Sequence, residues 1–332
     1  MLRRTRTATA LAGLCAVLLP GCTAPSAPMP ARPGPRLHGL VMLVSRETGG
    51  RGTTVEVADP RNGAVGVLSY WPGVGVGRPP FVSFDSTYRR LAAERPGTVG
   101  FRTPNGAYTP VGRAAPPPGD VVPLSVSPNV AYLHDRLVDL TPSGRLRDAR
   151  TRRPVPGYPV MRGRGLQPAV SPYGTLSMLT SPDTCAPDPS RPGGAVCEPG
   201  AVAGGNGDGL IATDGRGRAV RGFGHVDLNT ESVCGVAPDG AALVCGWHPG
   251  AGDSLASVDP TGDRTDLTTD IGARIMGTPV FSPDRQEVAA VVSPNPDARN
   301  RRLELRIVRD GRVRRPPVTV APGTYPVIVT WD

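Results

Sequence analysis

Lysine is absent from this 332-residue chain; all 37 of its lysine-or-arginine positions are arginine. Glycine (43) and proline (40) are abundant. Arginine in place of lysine, beside that much glycine and proline, reads as GC-rich coding. The formal charge of +9 is therefore a poor guide to partners. Arg3, Arg4 and Arg6 lie near the N-terminus, and subtracting these three from +9 leaves +6 for the rest. An excess of that size keeps a protein soluble and could also favour anionic wall polymers or lipid head groups. Long apolar runs are missing too. The stretch 8–19 falls short of the roughly 20 residues that span a bilayer. Aromatics make up only 5% of the chain, and helical periodicity is nearly absent, which argues against a helical fold.

The usual catalytic signatures are also missing. No Gly-x-Ser-x-Gly elbow of a serine hydrolase is present. None of the six cysteines has the close C-x₂₋₄-C spacing of a structural zinc site, and His38, His134, His225 and His248 are scattered. Asn206-Gly207-Asp208-Gly209 lacks the carboxylates of a calcium loop and reads as a glycine turn. No catalytic residue is nominated, and no metal or cofactor is expected.

What is present begins with a targeting segment. Arg3, Arg4 and Arg6 precede the apolar stretch 8–19, then come Pro20, Gly21 and Cys22. This is the layout of a secretory signal. Leu19-Pro20-Gly21-Cys22 resembles the lipobox of bacterial lipoproteins, which implies lipidation of Cys22; a plain signal peptide cleaved nearby is the alternative. Residues 22–37 are rich in Pro, Ala and Ser, too poor in apolar side chains to pack, and read as a disordered tether. The expected organisation is a signal peptide over 1–21, a tether over 22–37, and a folded body over 38–332. The protein is expected to be exported and held at the extracytoplasmic face of the membrane by its lipid alone. Export argues against a nucleic-acid partner, and a monomer is expected. Cys185, Cys197, Cys234 and Cys245 are an even set in an exported chain, which suggests disulfides.

The body carries an internal repeat. An apolar residue, Ser or Ala, usually Pro, then a turn residue recurs as Val82-Ser83-Phe84-Asp85, Val126-Ser127-Pro128-Asn129 and Val170-Ser171-Pro172-Tyr173. It returns as Val236-Ala237-Pro238-Asp239, Phe281-Ser282-Pro283-Asp284 and Val329-Thr330-Trp331-Asp332. The third positions are 44, 44, 66, 45 and 48 residues apart, and a period in the forties suits a four-stranded propeller blade. Each Pro-Asp turn should join strand A to strand B, and a later glycine turn should join strand C to strand D. The last copy supplies a strand A, and residues 39–68 supply B, C and D. The expected fold is all-β: a six-bladed β-propeller of four-stranded antiparallel blades, closed by the C-terminal strand joining the N-terminal blade. The long 66-residue interval places its excess between 182 and 209. That excess reads as a B–C loop stapled by Cys185 and Cys197. Cys234 and Cys245 flank the Pro238-Asp239 turn and should bond across strands A and B.

These motifs resemble the TolB-like and WD40-like propeller repeats of bacteria, whose blades carry the same Ser-Pro-Asp-Gly turn. The resemblance covers the propeller part; the N-terminal α/β domain of TolB proteins is replaced here by the tether. It implies a fold rather than a partner.

Variable loops on a rigid scaffold are where binding concentrates. The B–C loops and D-to-A crossovers vary most, so that face is the expected ligand face, with Trp71, Tyr158, Arg162, Arg164, Trp247, His248 and Tyr325 as candidate contacts. Trp71 and Trp247 could instead simply pack loops onto the blades. The expected function is a non-catalytic binding or scaffold module for a protein, peptide or envelope glycan. The alternative is a propeller hydrolase or lyase acting on a saccharide or peptide. The arginines Arg299, Arg301, Arg302, Arg306, Arg309, Arg312, Arg314 and Arg315 read as a solvated strand face, with phosphate binding as the sharper option.

Overall fold

The computed structural model describes residues 39–46, 52–74, 83–115, 130–203, 209–247, 252–295, 302–316, 318, 320 and 324–331. Cys22, the tether, the copy at 126–129, His248, and the side chains of His225 and Tyr325 lie outside the described residues.

The described residues form antiparallel sheets with no α-helix, only a 3-10 turn at Pro199–Ala201. Strands β1 (Leu40–Arg46), β2 (Gly52–Ala58) and β3 (Val65–Pro72) come first, then β4 (Leu91–Arg95), β5 (Thr98–Arg102) and β6 (Tyr108–Arg113). Next are β7 (Val130–Leu133), β8 (Arg136–Leu140) and β9 (Leu146–Asp148), followed by β10 (Gln167–Val170) and β11 (Leu176–Leu179). The hairpin β12 (Cys185–Pro187) and β13 (Ala195–Cys197) precedes β14 (Gly209–Thr213) and β15 (Ala219–His225). A complete meander follows: β16 (Glu231–Val236), β17 (Ala242–Gly246), β18 (Ser254–Val258) and β19 (Arg264–Thr268). Then come the short pieces β20 (Arg274–Ile275) and β21 (Val280–Phe281), with β22 (Val288–Ser293), β23 (Glu304–Arg309), β24 (Arg312–Arg314) and β25 (Thr324–Trp331).

The expected terminal pairing is present. β25 returns to the first sheet and gives the order β25-β1-β2-β3, with Leu40 opposite Trp331 and Ser45 opposite Tyr325. This pairing occupies what would otherwise be a free edge of β1. Behind it, Leu40, Met42, Ile328 and Trp331 pack with Val280, Ala289 and Ile307 of the last sheet into one core. Central strands are buried on both faces, as in β22 (Val-Ala-Ala-Val-Val-Ser), which explains their continuous apolar runs.

The turns follow their chemistry. In the β14–β15 turn, Asp214 Oδ1 accepts the backbone N–H groups of Arg216 and Arg218, and Gly217 takes φ +69°. The β18–β19 turn repeats this with Asp259 and Gly262. A side-chain oxygen satisfying backbone donors while glycine takes the left-handed conformation is what the Asp-x-x-Gly spacing encodes.

One expectation needs correction. The 182–209 excess is not simply a stapled loop. It contributes the hairpin β12–β13, with Cys185 directly opposite Cys197 and disulfide-bonded to it (Cα–Cα 4.0 Å). The hairpin displaces β14, which pairs with β13 instead of with β11, while β11 meets the stretch before β13 through the parallel bridge Ser177–Gly193. Ala195, Val196 and Cys197 are fully buried, so the insertion is core. The run 130–133 forms strand β7. The hairpin β7–β8 turns at His134-Asp135, both with positive φ (47° and 63°), and Tyr132, His134 and Asp135 border the same cavity as the A–B turns of neighbouring sheets. A two-residue turn with both residues left-handed is favoured by Asn or Asp, and Asp135 supplies it without any Pro. The predicted second disulfide, Cys234–Cys245, joins β16 to β17 (Cα–Cα 5.8 Å) and sits at a β-bulge, where Cys245 opposes Ser232.

Candidate ligand-binding cavity

A cavity of about 1180 Å³ runs among the sheets. Its lining comes from 83–88, from β7 and its turn, from 170–187, from β16 and β17, from 274–285, and from 327–331 of β25. These are largely the inner strands and their turns. The described copies of the repeat turn thus border the cavity.

On one side, Ser86 donates its backbone N–H (2.6 Å) and its hydroxyl (2.7 Å) to the two oxygens of Asp135. This stitches the β4 sheet to the β7 sheet. The buried carboxylate of Asp85 accepts from Thr87 Oγ1 and from the backbone N–H groups of Arg89 and Arg90. Beside them, burial pushes the Tyr132 phenol up to about 12, and the charges of Asp85 and Asp135 add to the rise. That hydroxyl stays protonated at neutral pH. Across the cavity, Tyr173 reaches to β21, where its hydroxyl accepts the N–H of Phe281 (3.0 Å). Burial raises its phenol to about 12 as well. Arg285 forms an ion pair with Asp239. Asp253, also buried, accepts the N–H of Ile275 (2.8 Å).

Of the residues nominated from sequence, Trp247 lines this cavity and is 50% exposed. Trp71 does not present its ring to a partner. It is 1% exposed, donates Nε1–H to Ser69 Oγ (2.9 Å), and packs edge-on against Phe84 at 5.1 Å. Its role is the packing alternative, because β3 turns alternate residues inward at its end. Tyr158 is half-buried, and its hydroxyl accepts the N–H of Leu176 (3.2 Å). Arg162 and Arg164 are exposed and lie away from the cavity lining. Arg306, expected on a solvated face, is 1% exposed and donates to the carbonyl of Ile271 and to Glu304. The cavity residues Tyr132, His134, Asp135, Tyr173, Arg274 and Arg285 escaped the sequence reading. The available signal was the varying residue inside each repeat turn, Tyr173 and Asp239 among them.

Among the described residues no group of three or more His, Cys, Asp or Glu is placed to hold a metal, and no helix is long and apolar enough to cross a membrane.

No protein-family model matches the chain, and no curated protein matches it. The chain is similar to several solved structures at low identity. The β-propeller domain of the Trilobed protease from Pyrococcus furiosus is 12% identical over 84% of this chain and 96% of that one, with a TM-score of 0.34. Oligogalacturonate lyase from Vibrio parahaemolyticus is 10% identical over 83% and 84%, with a TM-score of 0.40. A candidate 6-phosphogluconolactonase from Bacteroides fragilis is 13% identical over 89% and 100%, with a TM-score of 0.42. The described residues form an all-β chain of antiparallel sheets.

Proposed function

We propose that this chain is an exported lipoprotein whose six-bladed propeller, closed through β25, binds a short envelope glycan in its central cavity. The cavity lined by successive sheets carries the proposal. At about 1180 Å³ it exceeds the roughly 300–1,000 Å³ of pockets for drug-sized ligands, so it has room for an oligomer or a chain end. Its accessible groups suit a polyhydroxylated ligand: Ser86, Asp135, Ser232, Arg274 and Arg285 offer donors and acceptors of both signs, and Trp247 offers an exposed ring for stacking. Two disulfides using Cys185, Cys197, Cys234 and Cys245 accord with an oxidising, extracytoplasmic environment. Lipid on Cys22 would hold the protein at the membrane.

The second reading is a hydrolase or lyase working in this cavity. It is favoured by the grouping of Ser86, Tyr132, His134 and Asp135 on one wall. Against it, Asp85, Asp135 and Asp253 already satisfy backbone donors, so their first role is to fix turns.

Titration with short cello- and chito-oligosaccharides, followed by tryptophan fluorescence, tests the binding. Saturation is expected, with affinity falling roughly thirtyfold (~2 kcal/mol) in Trp247→Ala. Product release seen by mass spectrometry would select the enzyme. Absence of any binding or turnover would overturn both. Palmitate labelling that is lost in Cys22→Ala tests the anchor, and an unlabelled wild type would refute it.

A further inference from the structure

A second concavity, of about 410 Å³, lies apart from the cavity and is lined by Arg145, Arg162, Arg216 and Arg218 together with Ser143, Val160 and Gly163. Four guanidinium-bearing side chains come from three separate segments, and no carboxylate shares the lining. None of the four is in an ion pair among the described residues. The carboxylate next in sequence, Asp214, is engaged through Oδ1 by the backbone N–H groups of Arg216 and Arg218.

The backbone fixes this convergence. Met161 N–H donates to the Gly144 carbonyl at 2.7 Å, which ties the segment bearing Arg162 to the turn bearing Arg145. A Cβ at Gly144 would lie 2.6 Å from the Met161 carbonyl oxygen. One at Gly163 would lie 2.8 Å from the Arg216 carbonyl oxygen. Only glycine lets the three segments approach this closely, so the arginines are gathered by the fold rather than scattered over a basic surface. Like charges brought together without a counter-charge are stabilised by an anion that bridges them, and guanidinium groups match phosphoryl oxygens in bidentate geometry.

We propose that this concavity is a phosphoryl-binding site, independent of the glycan cavity. The ligand is a phosphate ester or diester, free or in an anionic lipid head group.

The test uses the full chain without its signal and with Cys22→Ser, and the variant Arg145→Gln/Arg162→Gln/Arg216→Gln/Arg218→Gln. A control of equal charge, Arg302→Gln/Arg312→Gln/Arg314→Gln/Arg315→Gln, removes exposed arginines elsewhere. Probes are inorganic phosphate, pyrophosphate, and vesicles of phosphatidylcholine with or without phosphatidylglycerol. Calorimetry and vesicle sedimentation should show binding by wild type and control, and about a hundredfold weaker binding by the site variant. Binding of the soluble probes would identify a free phosphoryl ligand. Binding to phosphatidylglycerol vesicles alone would identify the head group. Equal losses in site variant and control, or no binding by wild type, would overturn the proposal. Thermal melts of all three proteins, expected to coincide without ligand, establish that the variants fold.

Discussion

Trp331→Ala is a direct perturbation of β25, the strand paired with β1. Trp331 is 9% exposed, opposes Leu40 in the β1–β25 register, and packs with Met42, Val280 and Ile307. A tryptophan buries about 200 Å², which at roughly 25 cal/mol per Å² is worth about 5 kcal/mol. Part of the side chain borders the cavity, so the cost should fall to about 3 kcal/mol, the low end for a large aromatic truncated to alanine. Equilibrium urea unfolding, with Trp247→Ala as the half-exposed comparison, measures it. The slope against urea should be unchanged and the midpoint lowered. A loss of under ~1 kcal/mol, close to that of surface substitutions, would refute the claim that β25 is part of the core.

Three further outcomes follow from individual contacts. Replacing Cys185 and Cys197 together by serine opens a loop with a sequence separation of 12 and should cost about 3 kcal/mol in the chain-entropy model, read as a lower unfolding midpoint without loss of the other disulfide. Arg147→Met strands the buried carboxylate of Asp139, which now accepts two bonds from that guanidinium at 2.8 and 2.5 Å. A loss of roughly 3–5 kcal/mol is expected, and a neutral result would show that water replaces the pair. Burial raises the Glu56 carboxyl above its ordinary value. A raised folded pKa means that the folded state holds the proton more tightly, so the charged form is a penalty that appears as pH rises. Glu56→Gln should therefore melt higher than wild type at neutral pH, with the gap closing below the ordinary glutamate range. A gap that widens in acid would contradict the assigned cause.

The fold was legible because its signals are local and repeated. Pro-Asp and Asp-x-x-Gly turns are set by backbone chemistry, and they mark strand ends in the sequence. The β1–β25 pairing followed from an unpartnered strand at each end. Two features were not legible. The β12–β13 hairpin has only three residues per strand, and its Pro187 and Gly194 disguise it as loop. The β7–β8 turn uses His134-Asp135 with no proline. The site was harder still. Burial decides whether an aromatic serves a ligand or the core, and Trp71 and Trp247 are alike in sequence but 1% and 50% exposed. Which turns converge on one cavity depends on how neighbouring sheets pack. No spacing reports that Tyr173 reaches Phe281, 108 residues further along.

The most direct measurement of the central claim is hydrogen exchange by mass spectrometry, with and without a saturating oligosaccharide. Slowed exchange at 132–135, 170–174 and 274–285 is predicted, since these segments wall the cavity from different sheets. Protection confined to the 154–165 loop, with those three segments unchanged, would contradict the assignment of the ligand to the cavity.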